Sequence, residues 1–381
     1  MQHSGNIETI MNEQISKFLS ERIAANDFPS AVYLVAEKGE VKFHDALGYA
    51  VVEPELIPAR LDTIYDLASL TKPLVTGLFA ASKIEDGEIG LGTSLVDQDA
   101  AFEHLRVSDL TIQELGTHVS GLPAWLPLYF LARTPSYIDL ANIIGAQEIR
   151  GRGSKVEYSD LNFIALALVI EKLSRDSQFD NWVAKSLGLS RTCFNPSNRG
   201  IERLVIAASE NGNEYERRTC IEKFPELRIP PSAFRSYPIW GEVHDGNAYF
   251  MGGVAGHAGL FSTAEEVFKI ALQFLPQYTT LLKPETCELF RTNFTKGLNE
   301  DRSFTFQLAS TKDSTAGTRM SPESFGHNGF TGTSLWIDPV KERVFVLLTN
   351  RTHHHSLPFV NINAVRRDFH DLAIKVLDKN S

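Results

Sequence analysis

The sequence predicts a mixed α/β (α+β) fold in which strands from both ends of the chain form one antiparallel sheet, flanked by helices, with a mostly helical lobe between them. Three observations carry this expectation. Period-two apolar runs lie near both termini, each terminal region also holds an amphipathic helical pattern, and the middle of the chain repeats with helical spacing.

In chain order, Ile15, Phe18, Leu19, Arg22 and Ile23 keep helical spacing, so an amphipathic helix is expected from about Ile7 to Ala25. Ala31 to Ala36 and Val41 to Asp45 are β-rich runs separated by Lys38-Gly39, which reads as a tight hairpin. Leu70 to Glu85, Ile112 to Leu115, Leu161 to Ser174 and Ala264 to Leu275 carry helical patterning. Leu187 to Met251 is polar and punctuated by Pro225, Pro230, Pro231 and Pro238, and is expected to form long surface loops. Thr333 to Ile337 and Arg343 to Thr349 read as strands joined through Asp338-Pro339. One apolar stripe follows, made of Ile362, Val365, Phe369, Leu372, Ala373 and Val376. With no repeat or low-complexity linker, residues 1–381 are expected to form a single unit, with an α/β lobe of about 1–66 and 285–381 and a helical and loop lobe of about 67–284.

The 381 residues include 37 Lys+Arg against 47 Asp+Glu, a net charge of −10. Without a Lys/Arg cluster, this balance argues against a nucleic-acid partner or an anionic membrane surface, because both are bound through a basic face. A small neutral or cationic ligand fits better. Cys193, Cys220 and Cys287 are odd in number and widely spaced, which indicates neither a disulfide framework nor a cysteine-based zinc site. The first residues lack the basic patch and apolar run of a secretory signal. Stretches such as Phe163 to Ile170 fall far short of the ~20 residues that a spanning helix needs. A cytoplasmic protein is expected.

Three short stretches could carry chemistry. In Asp66-Leu67-Ala68-Ser69-Leu70-Thr71-Lys72-Pro73, Ser69 and Lys72 lie three apart where a β-like segment meets a helix. Residues so spaced share a helix face, so the ammonium can reach the hydroxyl. A partly desolvated lysine beside a hydroxyl lowers the cost of removing its proton, and a serine at a helix N-terminus places its own N–H where an oxyanion would form. An N-cap role also explains Ser69. In Tyr158-Ser159-Asp160-Leu161-Asn162-Phe163, a tyrosine depressed below its usual pKa of ~10 by an ammonium can serve as a general base or proton shuttle; helix capping by Ser159 or Asp160 is the alternative. Phe325-Gly326-His327-Asn328-Gly329-Phe330-Thr331-Gly332-Thr333-Ser334 is glycine-rich and enters a strand, the pattern of an edge strand that pairs with substrate or of a plain β-bulge.

Ser-x-x-Lys, Tyr-x-Asp and His-x-Gly, in this order, resemble the serine β-lactamase and penicillin-binding protein superfamily. The tyrosine form resembles its class C-like branch, which includes esterases, D-aminopeptidases and cell-wall amidases. Phe28-Pro29-Ser30-Ala31-Val32, Asp62 to Ala68, Thr117-His118-Val119-Ser120-Gly121-Leu122-Pro123 and Gly252 to Thr263 extend the resemblance over nearly the whole chain. It implies the β-lactamase and DD-peptidase fold with a site between the lobes, Ser69 acylated, and Lys72 with Tyr158 relaying its proton. It further implies an oxyanion hole from the N–H groups of Ser69 and Phe330, with His327, Asn328, Gly329 and Asp160 beside the substrate. His327 stands where such relatives carry a lysine, and a neutral imidazole offers a substrate carboxylate only one donor. Asp160 stands where the class C pattern has asparagine, adding a charge that holds Lys72 protonated.

The reaction this resemblance implies is acyl transfer to water through a Ser69 ester, without metal or organic cofactor. The substrate would be a small-molecule ester, amide or peptide, such as a muramyl or D-amino-acid peptide. A promiscuous carboxylesterase, a weak β-lactamase and a non-catalytic ligand-sensing relative are the alternatives, with a zinc hydrolase built on the histidines the remotest. Other conspicuous residues have simpler readings. His353-His354-His355 reads as a loop end, and His244-Asp245 and His257 as cleft-lining or structural. Ser262 or Thr263 with Glu265 or Glu266 reads as a capping box. His118 and Ser120 would fix a turn, and Trp125, Tyr129 and Phe130 would wall a pocket or cover the core.

Overall fold

The computed structural model describes residues 10–171 and 178–380. Strands β1 (Ser30–Glu37), β2 (Glu40–Val51) and β3 (Ile57–Pro58) come first, then β4 (Tyr65–Asp66), β5 (Cys193–Phe194), β6 (Ala208–Asn211), β7 (Pro238–Trp240) and β8 (Leu260–Ser262). The last are β9 (Gln307–Leu308), β10 (Phe325–Asn328), β11 (Ser334–Asp338) and β12 (Arg343–Thr349). The main sheet runs β3-β2-β1-β12-β11-β10-β9 and is antiparallel throughout. At its centre the first strand pairs with the last, Ala31 opposite Thr349 and Glu37 opposite Arg343. The sheet is therefore built from both termini, as the apolar runs predict.

Strand β1 shows what the period of two accomplishes. Ala31, Tyr33 and Val35 pack with Trp336, Phe345 and Leu347 against the terminal helices Glu13–Ala24 and Asn363–Asn380, through Ile15, Leu19, Phe369 and Ala373. Val32, Leu34 and Ala36 point the other way and join Leu335, Ile337 and Val346 to Leu70, Phe163, Val267 and Ile270. Both faces of the sheet are covered, so its central strands are apolar on both sides. Truncating the fully buried Phe345 to alanine would cost about 3–5 kcal/mol.

Four expectations need correction. The N-terminal helix begins later than its apolar spacing suggests, because Asn12 caps it with Oδ1, accepting from the N–H groups of Gln14 and Ile15 at 3.1 and 3.2 Å. Ile10 is extended and bridges to His44; residues 7–9 of that expected helix, and 172–174 of the one after Leu161, lie outside the described residues. The helix expected from Leu70 is a 3₁₀ turn (Ala68–Leu70), a π-helical segment (Lys72–Gly77) and only then an α-helix (Leu78–Glu85). Pro73 brings no N–H to this first turn, and the Thr76 hydroxyl reaches across to the Gly256 carbonyl at 2.8 Å.

The region from Leu187 to Met251 is more regular than its prolines suggest, holding the helix Glu214–Lys223 and the β6–β7 pair. No apolar stripe announces that helix; Glu214 anchors it by pairing with Arg217 and Arg218 at 2.6 and 2.8 Å. Thr263 caps the helix Ala264–Ala271, but Glu266 does not reach back as a capping box requires. Its carboxylate instead accepts from the amides of Ser190 and Arg191 at 2.8 and 3.1 Å. A reciprocal box does form between Thr111 and Glu114, ahead of the helix Ile112–Gly116. Among the described residues, no helix is long and apolar enough to cross a membrane. Cys193, Cys220 and Cys287 are all buried and form no disulfide among the described residues.

Candidate active site

Strand β4 delivers Ser69. It pairs with β8, Tyr65 opposite Ser262 and Asp66 opposite Phe261, and the chain then turns sharply at Ala68, which holds a left-handed φ of 47°. A non-glycine residue there is strained by roughly 1–3 kcal/mol and persists only where its surroundings impose it. Asp66 imposes it here: one carboxylate oxygen accepts from the Ala68 N–H at 2.8 Å, the other from the His244 N–H at 2.7 Å. Ser69 thus sits on the first turn beyond a rigid elbow, facing a cleft of about 670 Å³.

Lys72 is fully buried. Its ammonium points one N–H at Ser69 Oγ (2.9 Å), one at Asp160 Oδ1 (2.7 Å) and one at the His257 carbonyl (3.2 Å). Burial alone would lower its pKa, but the Asp160 charge, the Tyr158 oxygen and hydrogen bonds to both outweigh burial and raise it above the usual lysine value. Acceptors meet its N–H groups on every side, so Lys72 rests as an ammonium. The atoms of Asp160, Asp245 and His257 that could bind a metal lie within 4.8 Å of one another. The chain's own ammonium already supplies a cation to this cluster.

Tyr158 and Asp160 are placed by the stretch around His118, which itself adopts a left-handed φ of 60°. The His118 carbonyl accepts from the Glu157 N–H at 2.9 Å. Its Nδ1 accepts from the Ser159 N–H and the Asn162 side-chain amide, both at 3.1 Å. Ser120 donates to Asn162 Oδ1 at 2.5 Å, the Ser159 hydroxyl donates to the Pro123 carbonyl at 2.6 Å, and the Asp160 N–H to the Ala124 carbonyl at 2.9 Å. The Tyr158 ring lies against the His118 ring with centroids 4.5 Å apart and beneath Lys72, whose Nζ is 4.9 Å from the ring centre.

Tyr158 is 38% exposed along the cleft, yet its pKa is raised from the ordinary tyrosine value rather than depressed. Burial raises it most; Lys72 lowers it, Asp160 raises it, and hydrogen bonding with Lys72 and Ser69 lowers it without restoring the balance. The expectation of a phenol depressed by the ammonium is reversed, because burial and the Asp160 charge both disfavour a phenolate.

Strand β10 forms the opposite wall. Its outer neighbour β9 pairs only with Phe325 and Gly326, so beyond them His327 and Asn328 have no strand on that side among the described residues. The turn that follows is tied to the serine segment: Thr331 Oγ1 donates to the Asp66 carbonyl at 2.7 Å and Thr333 Oγ1 to the Leu67 carbonyl at 2.9 Å. Among the described residues, no acceptor engages the amide N–H of Ser69 or of Phe330. Burial first, then the charges of Lys72 and Arg302, push His327 well below the usual histidine pKa. Its Nδ1 lies 2.9 Å from the Asn328 carbonyl and must carry the proton there, leaving Nε2 a buried acceptor without a partner among the described residues. The single donor expected of a neutral His327 is thus already engaged by the backbone.

The structure also adds residues that the sequence does not advertise. Arg302 is 2% exposed and lines the cleft with its guanidinium carbon 5.9 Å from the Tyr158 ring centre; its Nε and Nη2 have no partner among the described residues. It sits in a stretch without hydropathy period, so no pattern could have marked it. Glu216 and Asp245 line the far end of the cleft. Burial, and then Asp245, push Glu216 up to about 7. His244 pairs with Glu210 at 2.8 Å and stacks on Phe330, and His257 pairs with Asp245 at 2.9 Å. Trp125 lines the cleft, whereas Phe130 packs on Phe234 and the Tyr129 hydroxyl donates to Glu216 at 2.9 Å. His353 accepts from the Val52 N–H at 2.8 Å and bonds the Ser209 carbonyl at 2.8 Å, which makes it a backbone tie after β12.

A buried lysine bonded to a serine hydroxyl, between a tyrosine-bearing helix start and an open sheet edge, is the arrangement of a serine acyl-transfer enzyme. The beta-lactamase family model matches residues 15–366, and the chain belongs to that family of serine hydrolases. It is 28% identical over 390 residues, 91% of this chain and 83% of the relative, to the Escherichia coli (strain K12) protein named "Putative D-alanyl-D-alanine carboxypeptidase". Among solved structures it is similar to EstCE1, a hydrolase with promiscuous acyltransferase activity (TM-score 0.68, 20% identity, covering 94% of this chain and 97% of that one). It is likewise similar to a class C beta lactamase from Rhodobacter sphaeroides (TM-score 0.68, 17% identity, covering 96% and 100%).

Proposed function

We propose that the chain hydrolyses the amide bond of a small D-amino-acid peptide bearing a free carboxylate, through an ester on Ser69. The observation that carries this reading is the Lys72 ammonium, shared between Ser69 Oγ at 2.9 Å and Asp160 at 2.7 Å. An ammonium has no lone pair for a proton, so the base is the Tyr158 phenolate, a minority form that the Lys72 charge favours and that burial and Asp160 oppose. Ser69 Oγ attacks the acyl carbon as its proton passes to the Tyr158 oxygen. The carbonyl oxygen becomes an oxyanion facing the N–H groups of Ser69 and Phe330. Collapse breaks the C–N bond, and the leaving amine takes the proton from Tyr158. Water then repeats the sequence on the ester, releasing the acid and restoring Ser69.

The substrate class rests on charge. His327 is neutral and presents an acceptor, so the cation for a carboxylate is Arg302, whose Nη1 pairs with Glu300 while Nε and Nη2 have no partner among the described residues. The names of the enterobacterial relatives point the same way. An esterase is the second reading, favoured by the lack of a cation at position 327. Mass spectrometry after fluorophosphonate treatment tests the nucleophile: a single adduct on Ser69 in wild type and none in Ser69→Ala. Labelling that persists in the alanine variant defeats the assignment. Turnover of a D-alanyl-D-alanine peptide, p-nitrophenyl acetate and nitrocefin then ranks the substrate classes, and ester turnover without peptide turnover selects the second reading.

A further inference from the structure

The turn after β10 is gripped by two arginines, both of which also line the cleft. Arg366, on the helix Asn363–Asn380, donates from Nη2 to the Gly329 carbonyl at 2.8 Å and to the Thr333 carbonyl at 2.9 Å, and from Nη1 to Asn363 Oδ1 at 2.9 Å. Arg351 donates from Nε to the Phe330 carbonyl at 2.8 Å and from Nη1 to the Val360 carbonyl at 2.8 Å, with its guanidinium carbon 5.0 Å from the Phe330 ring centre. Arg366 is 5% exposed. Neither arginine forms an ion pair among the described residues. Burial, and then Arg351, bring Arg366 down to about 9, and burial lowers Arg351. A buried cation without an anion is costly, so its location calls for a reason.

The peptide geometry supplies one. The carbonyl of Gly329 and the N–H of Phe330 belong to the same planar peptide unit and point in opposite directions. A cation bonded to that carbonyl fixes the orientation of the N–H and polarises it, since hydrogen bonds in a chain strengthen one another and act strongly in a low-dielectric interior. We propose that Arg366 is a positioning residue for acyl transfer, holding and polarising the Gly329–Phe330 peptide so that its N–H is aimed at the oxyanion. The inference rests on the reading of Ser69 as nucleophile and Phe330 as oxyanion donor.

The test uses Arg366→Gln and Arg366→Lys in the full chain, with active sites counted by fluorophosphonate and rates of p-nitrophenyl acetate hydrolysis expressed per labelled site. The expected result for Arg366→Gln is a fall in kcat of about 10- to 100-fold, part of the 10²–10³ that one oxyanion donor is worth. KM should change less than about threefold, and affinity for a phenylboronic acid should fall in parallel with kcat/KM. Arg366→Lys, which keeps the charge but not the guanidinium fork that spans both carbonyls, should recover part of the loss and not all of it. A purely structural role would lower the number of labelled sites and leave kcat per site unchanged, and that result overturns the proposal. If Arg366→Gln does not fold, Arg366→Lys decides alone: wild-type kcat per site together with unchanged boronate affinity overturns it, and a selective loss of both supports it. Absence of Ser69 labelling in wild type would instead remove the underlying assignment, so the two failures are distinguishable.

Discussion

Gly329 offers a direct measure of how tightly the proposed oxyanion turn is seated. A Cβ at this position would lie 2.0 Å from Thr333 Oγ1 and 2.5 Å from the Leu67 carbonyl oxygen, inside the 3.0 Å that real Cβ contacts respect, so the turn would have to retreat by about 1 Å. Those two atoms are the partners of the 2.9 Å hydrogen bond that ties the turn to the serine segment, so Gly329→Ala works against that tie. A shift of about 1 Å in a catalytic group can cost about 10² in rate, and outright loss of one oxyanion donor costs about 10²–10³ in kcat. The expectation for Gly329→Ala is therefore a kcat about 100-fold lower, KM within about threefold, and a stability loss of about 1–3 kcal/mol from overpacking. Gly92→Ala serves as the control, because a Cβ there meets nothing within 4 Å. The assay is steady-state hydrolysis of p-nitrophenyl acetate beside urea denaturation. A Gly329→Ala protein that loses stability but keeps kcat within threefold would refute the reasoning, since the turn would then have moved without consequence for the reacting oxygen.

Three further outcomes follow. Ser69→Ala should lower kcat by about 10⁴ or more and abolish the fluorophosphonate adduct seen by mass spectrometry, and residual activity near wild type would remove Ser69 from the mechanism. Asp160→Asn removes a charge that raises both Lys72 and Tyr158 while their burial persists; whichever of the two must lose a proton, its pKa falls, so the alkaline rise of kcat/KM should move to lower pH, and a stationary limb would show that neither group governs it. Arg302→Gln should raise KM for carboxylate-bearing peptides by about 10- to 100-fold, the equivalent of the ~1.5–3 kcal/mol of a hydrogen bond to a charged group, and leave p-nitrophenyl acetate unaffected; equal losses on both substrates would count against a carboxylate role.

How much of this was legible in the sequence depends on whether a feature is local. The terminal strands were legible because β1 and β12 are buried on both faces and their runs stop at clear turns, Lys38-Gly39 among them. Ser69, Lys72, Tyr158, Asp160 and His327 come together through motifs that each fit in a few residues. The pKa of Tyr158 was misread because a sequence names the neighbouring ammonium but not the depth at which the phenol sits. Arg302 and Arg366 escaped notice for a related reason. A lone arginine in a polar stretch looks solvated, and only the fold reveals that Arg366 meets no carboxylate and that Arg302, paired through Nη1 with Glu300, leaves Nε and Nη2 without a partner among the described residues. The helix Glu214–Lys223 was missed because ion pairs, not an apolar stripe, hold it.

The two departures from the pattern the motifs resemble and the unforeseen arginine form one electrostatic adjustment. Asparagine to Asp160 and lysine to His327 each make the cleft one charge more negative, the second because His327 is held neutral. Left alone, these changes would fix Lys72 as an ammonium and take a cation away from position 327. Arg302, paired through Nη1 with Glu300, stands in a different segment, and its charge, with that of Lys72, is among the causes that keep His327 unprotonated. A lysine at 327 would place a third cation beside these two. His327→Lys alone should therefore weaken the protein at neutral pH, and the same change combined with Arg302→Gln should be better tolerated. Urea denaturation of the two variants reads this directly, and a single variant as stable as the double one would show that the charges are not coupled.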